Sequence, residues 1–470
     1  MTPISDATIS ELLTEVVIGR TPIISAWRIF AYLFINGGWI IVAIAVLHGL
    51  FYFWVFYHRH KFAHRREWVM LAIDVPKDNL QSPKAVENIF AHLAGAHGSL
   101  TLAEQYWSGM TQDYFSLEIV SLEGYVQFII RCVKRWRDLV ESAIYAQYPE
   151  AEITEIDDYT KGFPAAFPND RYFLYGTEFI PVESEAYPIR SYQEFEHPLT
   201  QEFKDPVLAL METMGKLGQG EQLWLQIIIV PIDQHWREHA LHVLKKLIGD
   251  HRHETKGIIR TVFGEAGKIG SSIVDELVRG PSTGHEANGK VNQPPTMMLH
   301  LSPYEKERAE GITRKIKKIG FETKIRSVYI ATKDHYNAFH GREALVGSIK
   351  QVNTNDLNAL KPDTKRFGVH AHYFFKEWRK NWKRSQILRW YRGREWDYGN
   401  KPFVLNIEEL ATLWHFPTKT ETMPMRHMVQ RTEFKHTPPP SSVPFAAPSS
   451  PSEAARAESK TAAPHNIPFA

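Results

Sequence analysis

The sequence predicts an α+β fold: a single N-terminal transmembrane helix, then two ferredoxin-like (βαββαβ-type) lobes, the second interrupted by an insertion, and a disordered C-terminal tail. Three observations predict it. Residues 29–57, IFAYLFINGGWIIVAIAVLHGLFYFWVFY, carry no charged side chain. Strand-like and helix-like periods then follow in the order βαββαβ from Trp68 to Tyr159, and part of that order recurs between Gln222 and Thr332. Beyond about Thr420 the chain turns to Pro, Ser and Ala, a composition that cannot bury a core.

The expected organisation is a short extracytoplasmic N-terminus (1–28), a transmembrane helix (29–57), a basic juxtamembrane segment (58–66) and a first lobe (67–160). A second lobe (161–335) with an insertion at 250–295, a helical basic and aromatic region (336–420) and the tail (421–470) complete it.

At about 1.5 Å per helical residue the apolar run outspans a hydrocarbon core of about 30 Å. It is too long for the apolar part of a signal peptide and has no A-x-A-like exit. Arg59, Lys61, Arg65 and Arg66 follow it, whereas only Arg20 and Arg28 precede it, among Asp6, Glu11 and Glu15. The positive-inside bias therefore puts the C-terminal bulk in the cytoplasm, beneath the inner membrane. The one cysteine, Cys132, excludes an intrachain disulfide framework and agrees with a reducing compartment. Within a strand it reads as a small buried hydrophobe.

In the first lobe, Trp68–Pro76 is an apolar strand. Ser82-Pro83 opens a helix as N-cap and N1 proline, and Val86, Ile89, Phe90 and Leu93 form its stripe. Tyr114–Leu122 alternates Phe115, Leu117 and Ile119 with Ser116 and Glu118, the pattern of a half-buried strand. Glu123-Gly124 turns the chain into the strand Tyr125–Val133; a helix with Trp136, Leu139, Val140, Ala143 and Ile144 on one face follows, and Ala151–Tyr159 closes as a strand. The second lobe reads as strand Gln222–Ile232, helix Gln234–Gly249, a short strand Thr296–Leu301, a helix opened by Ser302-Pro303, and strand Phe321–Thr332. Aromatic and proline-rich 171–203 is expected to form strands between the lobes. Asn406 and Glu409 match a capping box for a last helix, with Pro417 beyond its end.

With 23% charged residues, 43% hydrophobic residues and a net charge of +2, composition alone argues for no polyanionic partner. Gly264–Ser271 lacks the G-x-x-x-x-G-K-[ST] spacing that cradles phosphates, so the chain is not expected to be an ATPase by itself. No cofactor is expected either. His235-Trp236-Arg237-Glu238-His239 spells H-x-x-E-H, the spacing that puts two zinc ligands one helical turn apart beside a general base. Glu305, Glu307 or Glu310 would have to supply a third ligand. The helical wheel opposes that reading: His235, His239 and His242 fall on the face opposite Trp236, Val243, Leu244 and Leu247, and so on the solvent side. A catalytic metal is therefore not expected.

The segment Lys376–Arg394, KEWRKNWKRSQILRWYRGR, interleaves Arg379, Lys380, Lys383, Arg384, Arg389 and Arg392 with Trp378, Trp382, Trp390 and Tyr391. Such residues neutralise phosphates and stack on bases, or sit at a headgroup boundary. With Arg59, Lys61, Arg65 and Arg66 they are the candidate polyanion or membrane-surface set; membrane lipid and nucleic acid are both candidate partners.

The stretches AIDVPKDNLQSPKAVENIFAHL, SLEIVSLEGYVQFIIRCVKRWRDLVESAIYAQYPEAEI, LGQGEQLWLQIIIVPID and FVLNIEELATLWHFP resemble an uncharacterised bacterial, membrane-anchored family. That family is similar to the N-terminal region of conjugative-transfer and type IV secretion ATPases. The resemblance runs from the anchor to about Pro417. It implies an ATPase domain after that point, where this sequence has its Pro/Ser/Ala stretch, and hence a P-loop ATPase partner in trans. The expected function is a non-enzymatic, single-pass inner-membrane platform for that ATPase, compatible with a homo-oligomer. The alternatives are a membrane-tethered zinc hydrolase on residues 235–239 and a lipid- or nucleic-acid-binding membrane module.

Overall fold

A computed structural model describes residues 27, 30–32, 34–76, 79–196, 203–248, 301–364, 367–369, 371, 374–418 and 435–436. They fall in two compact units. One comprises residues up to Trp68 together with His97–Asp113, the other Val69–Ala96 and everything from Tyr114.

In the first unit a π-turn, Phe34–Gly38, leads into helix α1 (Trp39–His64). The turn arises at Asn36-Gly37, where Gly37 takes φ +109, a conformation that glycine tolerates. Phe34–His64 is long and apolar enough to span a membrane. The helix continues past the expected end at Tyr57 through HRHKFAH, because nothing in that basic stretch breaks a helix.

The second unit is built on one sheet. Its first half follows the expected order: β1 (Trp68–Asp74), α2 (Pro83–Leu93), β2 (Phe115–Leu122), β3 (Tyr125–Val133), α3 (Arg137–Gln147) and β4 (Glu152–Glu155). Pro83 occupies the first turn of α2 behind Ser82 in extended backbone. Glu123 and Gly124 both take positive φ in the β2–β3 hairpin, as a tight hairpin turn demands. The strand expected over Ala151–Tyr159 is shorter. Asp158 leaves the ladder to cap a 3-10 turn at Tyr159–Gly162, as a short acceptor side chain favours.

The second half comprises β5 (Tyr172–Pro181), α4 (Pro206–Gly215), β6 (Glu221–Pro231), α5 (Trp236–Leu247), α6 (Pro303–Ile316), β7 (Gly320–Thr332), α7 (Ala344–Ile349) and β8 (Leu360–Pro362). Then come α8 (Lys376–Gly393), β9 (Phe403–Asn406), α9 (Ile407–Leu413) and β10 (Lys435–His436). Among the described residues the strand order is β10-β4-β1-β3-β2-β6-β7-β5-β8, with β9 on β7. Strands expected in two lobes therefore share one sheet, joined by β2 and β6 from Phe115–Ile229 to Leu122–Gln222. Both strands are buried on both faces, so each needs a neighbour on both edges and a cover on both sides. The 171–203 segment does not lie between the halves: its strand, β5, sits between β7 and β8. The insertion at 250–295, Gly264–Ser271, residues 296–300 of the expected short strand and nearly all of the tail lie outside the described residues.

One face of the sheet packs α2, α3, α4, α7 and α9 into a continuous core. Trp414, fully buried, touches Phe90, Phe128 and Phe416 at ring separations of 6.1, 5.6 and 5.2 Å. It follows α9, which starts on the expected capping box of Asn406 and Glu409. The opposite face packs Val120, Trp224, Leu174, Val328 and Ile330 under Ile387, Leu388 and Tyr391 of α8. Gly176 permits that approach, since a Cβ there would stand 2.5 Å from Ile387 Cγ2. Trp414→Ala should lower stability by about 3–5 kcal/mol, the usual loss for emptying a large aromatic site, read as an earlier urea midpoint.

Candidate functional site

Under α8 a row of polar side chains crosses four adjacent strands. Glu118 on β2 pairs in register with Gln226 on β6, Gln226 with Arg326 on β7, and Arg326 with Glu178 on β5. All four are buried. Gln226 Nε2 donates to Glu118 Oε1 at 3.1 Å, and Arg326 Nε to Glu178 Oε1 at 2.8 Å. The expected half-buried β2 is thus buried on both faces, because α8 covers the face on which Ser116 and Glu118 stand.

The C-terminal turn of α8 and the loop after it satisfy this row. Gln226 Nε2 donates to the Tyr391 carbonyl at 3.1 Å, and Arg326 Nη1 to that of Trp390 at 3.2 Å. The Asn400 amide donates to Glu178 Oε2 at 2.6 Å. Arg394, left-handed at φ 50 and 0% exposed, ends the helix and grips Glu118 through Nε at 3.0 Å and Nη2 at 3.1 Å. Its Nη1 reaches Asp158 Oδ2 at 2.5 Å, and the Tyr159 hydroxyl donates to Glu118 Oε2 at 2.8 Å. Burial alone would raise the Glu118 carboxyl. The Arg394 guanidinium, with bonds from Ser116 and Tyr159, outweighs it and holds the carboxyl below its ordinary 4.5. Arg394 itself loses by burial but is held well above its ordinary value by Glu118 and Asp158.

The expected polyanion set divides. Arg384 is buried and donates to the Leu174 carbonyl at 3.1 Å; Arg392 donates to the carbonyls of Thr160 and Phe163; Lys383 donates to that of Gly368. Arg384 and Arg392 therefore serve as internal bonds rather than as surface cations, because they lie on or beside the face of α8 that packs on the sheet. Arg66 is likewise spent, with Nε 3.1 Å from Asp113 Oδ1. Lys380 pairs with Glu377 at 2.8 Å. Arg379 and Arg389 are exposed on α8, as are Lys61 and Arg65 on the end of α1, and Arg59 is half-buried. Between the α8 arginines Trp378 is 70% exposed, and Phe375 and Trp382 are exposed on the same side of α8, opposite Arg384, Ile387, Leu388 and Tyr391.

The histidines lie as the wheel predicts. His235 is 79% exposed with Nδ1 3.3 Å from Glu238 Oε1, His239 Nδ1 is 3.9 Å from Glu185, and His242 is exposed. Trp236, Val243, Leu244 and Leu247 pack instead on Ala186, Tyr187 and Ile312. Glu305 serves the Ser302 capping box. Among the described residues no three His, Cys, Asp or Glu side chains converge as a metal set. Cys132 is buried in β3, its thiol pushed up to about 12 by burial. A small crevice among α4, α7, α9 and the sheet is lined by apolar side chains such as Leu210, Ile227 and Ile325 and by no titratable group.

Glu118→Gln should cost up to about 3 kcal/mol near neutral pH, because Arg394 keeps its burial and is left with Asp158 as its one charge partner. A carboxyl lowered on folding contributes stability that is present above its unfolded value and lost as pH falls through the folded one. The difference in urea stability between wild type and Glu118→Gln should therefore shrink as pH drops below about 4.5. His239→Ala, on an exposed face, should shift stability by less than about 0.5 kcal/mol, and thermal melts compare it with wild type directly.

No curated protein matches the chain. The family described as a domain of unknown function (DUF8128) matches residues 61–427, from the end of α1 past the end of α9. The chain belongs to that family.

Proposed function

We propose that the protein is a non-enzymatic, single-pass inner-membrane subunit whose sheet forms a cytoplasmic platform for a P-loop ATPase of the DNA-transfer or type IV secretion kind acting in trans. The observation that carries the reading is the join between anchor and sheet. α1 ends at His64 and β1 begins at Trp68, so three residues link them. Whatever the sheet does, a membrane-inserted α1 tethers it covalently to the bilayer through that short link. Arg59, Lys61 and Arg65 at the end of α1 favour the cytoplasmic side for the sheet. The order β4-β1-β3-β2, with α2 and α3 on one face, supports a ferredoxin-like reading of the first half. The buried charges of the row are engaged with α8 and its loop, which suits a rigid support. The ATPase itself comes from the resemblance in sequence. Pull-down of the tagged chain from solubilised membranes should recover a P-loop ATPase, and repeated recovery of none would overturn the reading.

The exposed Trp378, Arg379, Trp382 and Arg389 side of α8 favours a second reading, a surface for anionic lipid or nucleic acid. Neutralising Arg379 and Arg389 together should weaken binding of the full chain to anionic vesicles or to oligonucleotide. Unchanged binding to both would remove this reading.

A further inference from the structure

Residues 97–113 lie between α2 and β2 in the chain but belong to the same compact unit as α1. A capping box of Thr101 and Glu104 starts a short helix, Leu102–Tyr106, and Gly109 turns the chain at φ +67. Three contacts fix this arm on α1, and Arg66 just beyond the helix holds its base. Tyr106 meets Phe51 at 5.7 Å between rings, and Trp107 meets Trp54 at 5.8 Å. A Cβ on Gly109 would stand 2.3 Å from the His58 carbonyl carbon, so backbone touches backbone there. At the base, Arg66 binds Asp113 and donates to the Thr111 carbonyl at 2.5 Å.

These contacts set a depth. Phe51 and Trp54 lie roughly 8–12 Å along the helix before Arg59, the first charged residue after the run, at about 1.5 Å per residue. If α1 spans the bilayer, that is the boundary between hydrocarbon and headgroups. The arm's composition fits such a place. Trp107 is 73% and Leu102 53% exposed, while Glu104, the only charged residue of 101–109, turns its carboxylate onto Thr101 N and Oγ1 at 2.9 and 2.8 Å. Trp and Tyr are the residues that favour the interface, with an apolar ring and a polar edge.

We propose that Thr101–Gly109 is an interfacial arm that lies in the lipid headgroup boundary at the cytoplasmic end of α1, with Leu102 and Trp107 in contact with lipid. It rests on the anchored reading, and supplies a second fixed point on the bilayer besides the helix itself. Such an arm resists rotation of α1 about its axis, because turning the helix would drag Trp107 and Leu102 through the headgroups.

The test places an environment-sensitive fluorophore on Leu102→Cys, Trp107→Cys or Ile44→Cys in the full chain, with the unsubstituted chain, whose only cysteine is buried, as the labelling control. The protein is reconstituted in nanodiscs of phosphatidylcholine and phosphatidylglycerol carrying a nitroxide either near the headgroup or near the chain end. Labels at 102 and 107 should lose more emission to the shallow nitroxide, and the label at 44 to the deep one. Gly109→Val, which forces the arm off His58, should diminish the shallow quenching at 102. Quenching at 44 with none at 102 and 107 overturns the arm and leaves the anchor. Quenching at 102 and 107 with none at 44 upholds an interfacial arm and overturns the spanning helix. No quenching at any of the three overturns both.

Discussion

The grip of Arg394 on Glu118 and Asp158 is the constraint on which the rest of the second unit depends. It sits where three parts of the chain meet: β2 from the first half, the turn after β4, and the end of α8. Without it, the carboxylate of Glu118 and the guanidinium of Arg394 would each be buried without their charge partners. With it, both carboxylates of the row are bonded to α8 or the loop after it, and α8 is held across β2, β6, β7 and β5 at once. Breaking one partner of such a pair costs more than the pair itself contributes, since the survivor stays buried and charged.

That arrangement also explains why two runs of similar secondary structure form a single sheet. β2 and β6 are apolar on the face of α2, α3 and α4, and on the face of α8 they carry Val120 and Trp224 beside Glu118 and Gln226. The edge of β2 finds β6, and the polar row finds the carbonyls at the end of α8. Separating the halves would expose the long β2–β6 ladder and leave Gln226 without Glu118.

Local signals were legible wherever they were local in cause. The Ser302-Pro303 helix start, the Asn406 capping box, the Glu123-Gly124 turn and the outward face of His235, His239 and His242 stand as the residues suggest. Elements that depend on a distant cover were not. Glu118 reads as a solvent-facing residue of a half-buried strand, because nothing near it in sequence announces an arginine 276 positions later. Arg384 and Arg392 read as surface cations for the same reason: a helix basic on every side hides which side packs. A charged or amide residue inside an otherwise apolar strand, as in LWLQIII and KIRSVYI, was the signal available for the row. The arm at 97–113 gave still less, since its role comes from contact with a helix some fifty residues earlier.

Hydrogen exchange of the full chain, wild type against Glu118→Gln, tests most directly whether the polar row fastens α8 to the sheet. The C-terminal half of α8 in the wild type should open together with β2 and β6, and the substitution should selectively lower protection over residues 384–400 while β1 and β3 stay protected. Exchange of α8 that is independent of the sheet in the wild type, or unchanged by the substitution, would contradict that fastening.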